Sequence, residues 1–349
     1  MSEHFEEGPG LAGARRASGG LAGPWLGPPS RWKRSVRRRA FLSGAAATLA
    51  LPRIVAAQPA TLTFASSTAT VGLVTQIVRR LDLEKKYDLK LDLKILDPAG
   101  AEKAVFLRQV DAGLFPVLTA ADLQAKAQDI VLFAPLLFMH TYLLVWQDSA
   151  YQSLAELRGK KIGVLDKVSG AYRGMQLIAA RAGLDFERDF QPITGPPPAL
   201  VTFLQRKQVD ALLIHEPLAT KLLAEGKFRI VMGLNDEWKK TAKGDWLFVC
   251  AGAHREWLTQ NRATARRLAD MLLDAMRQLS RNPDLIEVEA PFLALKTPAE
   301  INLGKERMPR IFPTEWNEAM VASAMEAVRE ATRLGQIKLP AQEFMSVLK

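Results

Sequence analysis

The chain has 349 residues, of which 48% are hydrophobic and 24% charged, and this length allows two domains with cores of their own. The composition is typical of soluble globular proteins. It excludes a disordered chain, a collagen-like repeat or a multi-span membrane protein as a description of the whole sequence. The single cysteine, Cys250, excludes an intramolecular disulfide and any zinc or iron–sulfur site built from several thiolates of one chain.

The net charge of +10 is concentrated at the N-terminus. Residues 1–57 hold nine of the 47 basic residues and three of the 37 acidic ones, so the other 292 residues carry 38 basic against 34 acidic side chains, a net charge of +4. That part contains no run of Lys and Arg interleaved with aromatic residues. We therefore expect no nucleic-acid partner.

Residues 1–57 are predicted to be an export signal preceded by a disordered extension. Arg38–Leu42 resembles the twin-arginine pattern, with Arg37 in place of the usual Ser or Thr, and a short Ala-rich apolar run follows it. That run is shorter than the ~20 residues that span a bilayer. We expect cleavage after Ala57 and a periplasmic product exported through a twin-arginine-type signal. An ordinary secretion signal or a basic tail is the alternative.

Beyond residue 58, short strands alternate with helices. Strands are predicted at 61–65, 89–96, 130–133, 141–146, 160–165, 190–194, 209–214 and 245–251, and helices at 68–81, 101–108, 170–182, 198–206, 217–225 and 261–279. This alternation predicts an α/β protein with parallel sheets and helices on their faces. The apolar stretch 130–146 approaches the length of a membrane span, but Pro135 and the β-branched and aromatic residues favour two buried strands.

Two similar segments lie about 100 residues apart. Residues 105–116 and 203–217 each combine a helix end, a Val-Asp-Ala strand and a turn with proline, followed by an Ala- and Leu-rich helix. Repeats of solenoids are only 20–50 residues long, so this spacing indicates two similar lobes.

The predicted lobes are discontinuous in sequence. Lobe I is assigned residues 58–145 and 246–349, and lobe II residues 146–245. The strands at 141–146 and 245–251 are predicted to carry the chain between the lobes, and the segment from residue 256 onward is predicted to be mainly helical.

Small polar residues occupy three predicted strand-to-helix turns: Ser66-Ser67-Thr68, Ser169-Gly170 and Thr194-Gly195. A helix N-terminus has free N–H groups and a partial positive charge, which suits an anion, although Ser, Thr and Gly are also ordinary helix caps. We expect the first two turns to face each other across a cleft between the lobes.

Four further residues extend this candidate site. Tyr172 and Arg173 follow the second turn. We expect the Tyr172 ring to stack on a ligand there and the Arg173 guanidinium to pair with an acidic group of that ligand. Thr119 caps the helix after Pro116 or binds ligand. Glu216 ends a strand, where open α/β sheets bind ligands, and a structural hydrogen bond is its alternative role. The candidate ligand-binding residues are Ser66, Ser67, Thr68, Thr119, Ser169, Gly170, Tyr172, Arg173 and Glu216.

The sequence does not favour an enzyme. Its four histidines are scattered, and it contains no HxxxH motif, serine nucleophile elbow or Walker-type phosphate loop. We expect no catalytic residue, cofactor or metal, and we interpret His140 as a core residue.

Four short segments together resemble a known family. Leu157–Val164, Ser169–Tyr172, Gln208–Ala211 and Glu216-Pro217 are similar to periplasmic solute-binding proteins of ABC importers, in the subgroup that binds sulfonates, nitrate, taurine and thiamine pyrimidines. The resemblance extends over residues 61–335. It implies a type II periplasmic binding protein fold, whose two lobes, joined by two hinge crossings, close on a ligand. The implied ligand-binding residues are Ser66, Ser67, Thr119, Ser169, Gly170, Tyr172 and Glu216.

The function implied by this resemblance is capture of a small organic anion, sulfonate- or carboxylate-like, or of a thiamine-pyrimidine-like compound. A monomer would deliver it to an ABC permease and ATPase complex in the inner membrane. Two alternatives remain open: an enzyme like the thiamine-pyrimidine precursor synthases, and a binding module of a sensor or tripartite uptake system. His215 departs from the aromatic residue that many relatives carry before the Glu-Pro pair.

Overall fold

The computed structural model describes residues 59–126, 128–340 and 342–348, all within one compact unit that runs from Ala57 to Lys349. The predicted export signal lies outside the described residues. Within the described part, two five-stranded sheets are flanked by helices. No helix in this part is long and apolar enough to cross a membrane.

The strands divide equally between the two sheets. The first sheet contains β1 (Ala60–Ser67), β2 (Leu89–Leu96), β3 (Ala112–Pro116), β4 (Ile130–Phe138) and β10 (Leu247–His254), in the order β2-β1-β3-β10-β4. The second sheet contains β5 (Thr141–Trp146), β6 (Lys161–Val164), β7 (Gln191–Thr194), β8 (Ala211–His215) and β9 (Phe228–Gly233), in the order β7-β6-β8-β5-β9.

Helices connect these strands and form the C-terminal segment. They are α1 (Leu73–Arg80), α2 (Leu83–Lys86), α3 (Pro98–Phe106), α4 (Val117–Ala125), α5 (Gly170–Arg181), α6 (Pro197–Gln205), α7 (Leu218–Ala224), α8 (Leu234–Lys239), α9 (Arg255–Gln260), α10 (Arg262–Arg281), α11 (Leu285–Val288), α12 (Ala290–Leu293), α13 (Pro298–Arg307) and α14 (Glu318–Arg333). Short 3-10 helices cover Thr70–Gly72, Ala155–Leu157 and Met308–Ile311.

Both sheets are mixed, whereas the alternation of strands and helices predicted parallel ones. In the first sheet, β2, β1 and β3 are parallel, but β10 runs antiparallel to β3 and β4. In the second, β7, β6 and β8 are parallel, and β5 runs antiparallel to β8 and β9. The antiparallel strands β10 and β5, each fourth in the order of its sheet, are those that follow a passage of the chain from one sheet to the other.

The chain first passes between the sheets at Met139-His140, because β4 ends at Phe138 in the first sheet and β5 begins at Thr141 in the second. The predicted lobe boundary between residues 145 and 146 falls within β5. The stretch of residues 141–145, assigned to lobe I from the sequence, therefore belongs to the second sheet. The chain returns after α8, at the start of β10.

The internal sequence similarity corresponds to a repeated local structure. Arg108 and Lys207 follow α3 and α6 with left-handed backbone angles, φ 57° and 55°. Three residues later, Asp111 Oδ2 accepts the N–H of Thr63 at 2.7 Å, and Asp210 Oδ2 accepts the N–H of Lys161 at 2.9 Å. Each aspartate thus fixes the start of β3 or β8 beside the parallel strand β1 or β6.

Strand β4 continues through Pro135, beyond the predicted strand 130–133. In the sheet order β4 is an edge strand, and Pro135 faces Cys250 beside an irregularity in the register, which is where a sheet tolerates proline. The C-terminal tail covers the side of β4 that faces away from β10. The N–H of Leu132 donates to the carbonyl of Phe344, and the N–H of Ser346 donates to the carbonyl of Leu132, both at 2.8 Å.

The C-terminal helices contact both halves of the molecule, although the sequence assigned them to lobe I. Helix α14 packs on α4 and β10, and α13 packs on α7, which follows a strand of the second sheet. Arg181 on α5 also pairs with Glu326 on α14 at 3.1 Å. This segment therefore braces the two sheets against each other.

Candidate functional site

A cavity of about 490 Å³ lies between the two halves of the chain, beside both passages of the backbone. This volume is within the range of small-molecule pockets, roughly 300–1,000 Å³. Most of its lining is apolar, and the polar lining residues are Thr70, Glu102, Thr119, His140, Thr141, Ser169, Arg173 and His215. Residues in the first turns of α3, α4 and α5 line its walls.

Ser169 and Gly170, predicted to bind ligand, line this cavity at the start of α5. Ser169 caps the helix, because its Oγ accepts the N–H of Tyr172 at 3.1 Å. Its hydroxyl proton remains available to a ligand. Gly170 allows the ring of Phe248 to approach closely, since a Cβ added to Gly170 would lie 2.3 Å from Cε2 of that ring. Phe248 also lines the cavity, and the sequence had not indicated it.

Arg173 and Thr119, both predicted to bind ligand, line the cavity together with Glu102, which the sequence had not indicated. Burial raises the pKa of the Glu102 carboxyl to about 7, while the charge of Arg173 and the hydroxyl of Thr119 act in the opposite direction. Within the described part of the chain, the Arg173 guanidinium has no carboxylate within 4.0 Å. A cation without a salt bridge thus faces a mainly apolar space.

The predicted turn Ser66-Ser67-Thr68 does not line the cavity. Strand β1 continues through Ser67, so these residues are held by local contacts: Ser66 Oγ is hydrogen-bonded to Thr75 Oγ1 at 2.8 Å, and Ser67 Oγ accepts the N–H of Ala69 at 3.0 Å. Thr68 is exposed to solvent. The wall begins one residue later, at 69–71.

Tyr172 also lies away from the cavity. Only 1% of its surface is exposed, its hydroxyl donates to Glu187 Oε1 at 2.8 Å, and its ring packs edge-on against Phe186 at 5.2 Å. On a helix, successive residues point about 100° apart, so Arg173 faces the cavity while Tyr172 faces the core. The contacts of Tyr172 in this structure are therefore structural, and its ligand-binding role stays a prediction.

Glu216 is fully buried and belongs to an ion pair. Arg307 donates to Glu216 Oε1 from Nε at 2.8 Å and from Nη2 at 2.6 Å, and the N–H of Thr220 donates to Oε2 at 2.9 Å. It does not line the cavity. Of its two roles considered from the sequence, the structure supports the structural one.

Two histidines line the cavity where the chain passes between the sheets. The rings of His140 and His215 are 5.6 Å apart, and the ring of Phe248 lies 5.9 Å from that of His140. The interpretation of His140 as a core residue is correct for its burial but missed its place on the cavity wall. Among the described residues, no group of three or more His, Cys, Asp or Glu side chains is arranged to hold a metal ion.

Known proteins share this architecture. The aliphatic sulphonate binding protein SsuA of Escherichia coli superposes with a TM-score of 0.69 at 19% identity, over 83% of this chain and 93% of that one. SsuA of Xanthomonas axonopodis pv. citri, solved with bound MOPS, gives 0.64 at 20% identity, over 84% of this chain and 100% of that one. At these identities the likeness shows the fold, and it confirms the predicted two-lobed periplasmic binding protein architecture.

Sequence comparison gives the family. Binding proteins of Brucella abortus and Brucella suis are 26% identical over 144 residues, 41% of this chain and 44% of theirs, so the match spans less than half the length of these curated relatives. The model of a family described as the periplasmic phosphonate substrate-binding protein of ABC transporters matches residues 74–288, more than half of the chain. The chain therefore belongs to the periplasmic substrate-binding proteins of ABC transporters, as its resemblance to that class predicted.

Proposed function

We propose that this protein captures a small organic anion in the cavity between its lobes and delivers it to an ABC importer. The observation that carries the proposal is the position of Arg173, a guanidinium without a salt bridge among the described residues, on the wall of a mainly apolar cavity of about 490 Å³. A charge in such surroundings is stabilised by a bound counter-charge.

The start of α5 supports the same ligand charge. This helix has 12 residues, and its N-terminal N–H groups and partial positive charge favour an anion at Ser169 and Gly170. The Ser169 hydroxyl adds a donor, because its oxygen already accepts from Tyr172. Apolar residues such as Leu118, Leu165 and Val249 would contact the organic part of the ligand.

Several ligand classes satisfy this chemistry. Sulfonates, phosphonates and carboxylates each present an anionic group attached to an organic body. The solved SsuA proteins are named as sulfonate-binding proteins, and the matching family is named for phosphonate. A thiamine-pyrimidine-like compound would fill the apolar space but would make less use of Arg173. We therefore propose an organic anion, bound as the two lobes close around it.

Delivery and export complete the proposed function. The partner would be the permease and ATPase complex of an ABC importer in the inner membrane. The chain would reach the periplasm through the twin-arginine-type signal at 38–42, which lies outside the described residues.

The direct test is a thermal-shift screen of the purified protein against alkanesulfonates, alkylphosphonates, aliphatic and aromatic carboxylates, and aminopyrimidines. A ligand at 100 times its Kd adds about 2.7 kcal/mol to the free energy of unfolding, which raises the Tm visibly. Each hit is then titrated by calorimetry into Arg173→Met and into a matched control, Arg188→Met, whose side chain pairs with Asp185 on the surface.

Loss of a hydrogen-bonded charge pair costs about 1.5–3 kcal/mol, so Arg173→Met should weaken binding of an anion by roughly 10- to 150-fold. Arg188→Met should bind as the wild type does. A panel in which no compound raises the Tm, or an anion that binds equally well to both variants, would contradict the proposal.

A further inference from the structure

Each of the two histidines on the cavity wall has one ring nitrogen that is hydrogen-bonded and one that is not. Nδ1 of His140 lies 3.2 Å from the carbonyl of Phe138, and Nδ1 of His215 lies 2.9 Å from the carbonyl of Glu216. Since a carbonyl can only accept, both Nδ1 atoms carry a proton, and in a neutral ring Nε2 is then an acceptor. No described residue donates a hydrogen bond to either Nε2.

The surroundings keep His140 uncharged. Its side chain is 5% exposed although it lines the cavity, and burial, together with the nearby His215, lowers its pKa to about 3. Nε2 of His140 is thus a neutral acceptor. Among the described residues it is not one of the fully buried polar atoms that lack a hydrogen-bond partner, so it is accessible from the cavity that His140 lines, and a donor group of a ligand there would pair with it.

The backbone fixes the two rings beside each other. Thr141 and His215 face each other across the antiparallel strands β5 and β8, and the N–H of Glu216 donates to the carbonyl of His140 at 3.1 Å. Phe248 packs on His140 from the returning strand β10. This pair belongs to different elements from Arg173 and Ser169, which lie on or just before α5, so the cavity has two separate sets of polar groups.

We propose that Nε2 of His140 and Nε2 of His215 accept hydrogen bonds from the ligand, so that the protein selects organic acids that carry an N–H or O–H donor in addition to their anionic group. The inference rests on the proposed function, because it assigns the second half of the same ligand. Arg173 and the start of α5 recognise the charge, and the histidine pair recognises the donor.

The test compares matched acids that differ only in the donor, by calorimetric titration. The pairs are ethanesulfonate and 2-hydroxyethanesulfonate, ethylphosphonate and 2-hydroxyethylphosphonate, and benzoate and 3-hydroxybenzoate. In at least one pair that binds, the compound with the donor should bind about tenfold more tightly to the wild type. In His140→Phe and His215→Phe the two members of the pair should bind about equally tightly, so that the ratio of their Kd values falls to about one.

His254→Phe is the matched control, because His254 is buried but its Nε2 already bonds to the carbonyl of Val105, and it does not line the cavity. It should keep the tenfold preference. If His140→Phe does not fold, His215→Phe decides alone, since the carbonyl that His215 releases still accepts from Thr70 Oγ1 at 2.6 Å.

The possible results separate this inference from the proposed function. If the two members of every binding pair have equal affinity for the wild type, or if the preference survives in the histidine variants, the inference is wrong and the proposed function stands. If no compound of any pair binds, both are wrong. A preference that disappears only in the cavity histidine variants supports both.

Discussion

Arg307, the last residue of α13, donates two hydrogen bonds to one carboxylate oxygen of Glu216, at 2.8 Å and 2.6 Å. Glu216 is fully buried in the turn between β8 and α7, and its carbonyl accepts from Thr70 Oγ1 at 2.6 Å. The Arg307 guanidinium also lies 4.5 Å from the centre of the Tyr142 ring. One turn of the second half is thereby attached to the C-terminal segment and to the residues that follow β1.

Removing either partner of the Glu216–Arg307 ion pair should lower the stability of the protein strongly. Arg307→Met should lower the free energy of unfolding by about 3–5 kcal/mol, because the Glu216 carboxylate would be left buried without its counter-charge. Urea denaturation followed by circular dichroism measures this. The double variant Glu216→Gln, Arg307→Met should recover part of the loss, since it removes both charges.

The control for this ion pair is Arg333→Met. Arg333 pairs with Glu330 at 2.6 Å within α14, but 61% of its side chain is exposed. Exposed pairs contribute only about 0–1 kcal/mol, so this variant should unfold near the wild-type urea concentration. Equal stability of Arg307→Met and Arg333→Met would contradict the buried pair.

Local sequence predicted those parts of the fold that depend on local patterns. The strand-to-helix turn at Ser169-Gly170 was found because a helix cap and a glycine are visible in the sequence, and both residues line the cavity. The similarity around Asp111 and Asp210 predicted two lobes, since the same short-range contacts recur at both places.

Contacts between distant segments could not be predicted in the same way. Arg307 is 91 residues from Glu216, and nothing in the sequence marks it as the partner of that carboxylate. His140 stood out as a polar residue in an apolar stretch, but only the pairing of β5 with β8 shows that it meets His215. Whether Tyr172 or Arg173 faces the cavity depends on the rotation of α5, which their shared position after Ser169 does not indicate.

A side chain at Gly170 should change both the shape of the cavity and the stability of the fold. A Cβ at this position would lie 2.3 Å from Cε2 and 2.4 Å from Cζ of Phe248, so the ring must move, and the cavity is the space beside it. Gly170→Ala should therefore weaken binding of any ligand found in the screen by about tenfold and lower stability by about 1–3 kcal/mol.

Combining Gly170→Ala with Phe248→Leu should restore most of the affinity, because the smaller side chain leaves room for the new methyl group. Gly195→Ala serves as the control, since its added Cβ would meet its nearest atom, in Leu200, at an ordinary 3.6 Å. Unchanged affinity in Gly170→Ala would show that the Phe248 ring does not bound the ligand.

Tyr172→Phe separates the predicted role of this residue from the observed one. The variant loses the hydrogen bond from the phenol to Glu187, 2.8 Å long, but keeps the packing on Phe186. We expect a loss of about 0.5–1.5 kcal/mol in stability and unchanged ligand affinity, measured by urea denaturation and calorimetry. A tenfold loss of affinity with normal stability would instead place the phenol in the ligand site.

Glu102 predicts how stability changes with pH. Its pKa is raised from 4.5 to about 7 by burial, so between these values the folded chain keeps a proton that the unfolded chain has released. Wild-type stability attributable to Glu102 should therefore fall as the pH rises from about 4.5 to 7 and change little beyond. The stability of Glu102→Gln should not decrease over this pH range, because Gln does not ionise. Its Tm should therefore equal that of the wild type at pH 4 and exceed it at pH 8.

Ligand affinity should also depend on whether the Glu102 carboxyl group is ionised. Glu102 lines the cavity with Thr119 and Arg173, and its ionised form would repel an anion bound at Arg173. Affinity for a sulfonate, whose own charge is constant between pH 5 and 9, should decrease as the pH rises through about 7. In Glu102→Gln the affinity should stay level over this range, whereas Arg173→Met should be weak throughout. A wild-type affinity that does not change with pH would mean that the anion binds too far from Glu102 to influence its proton.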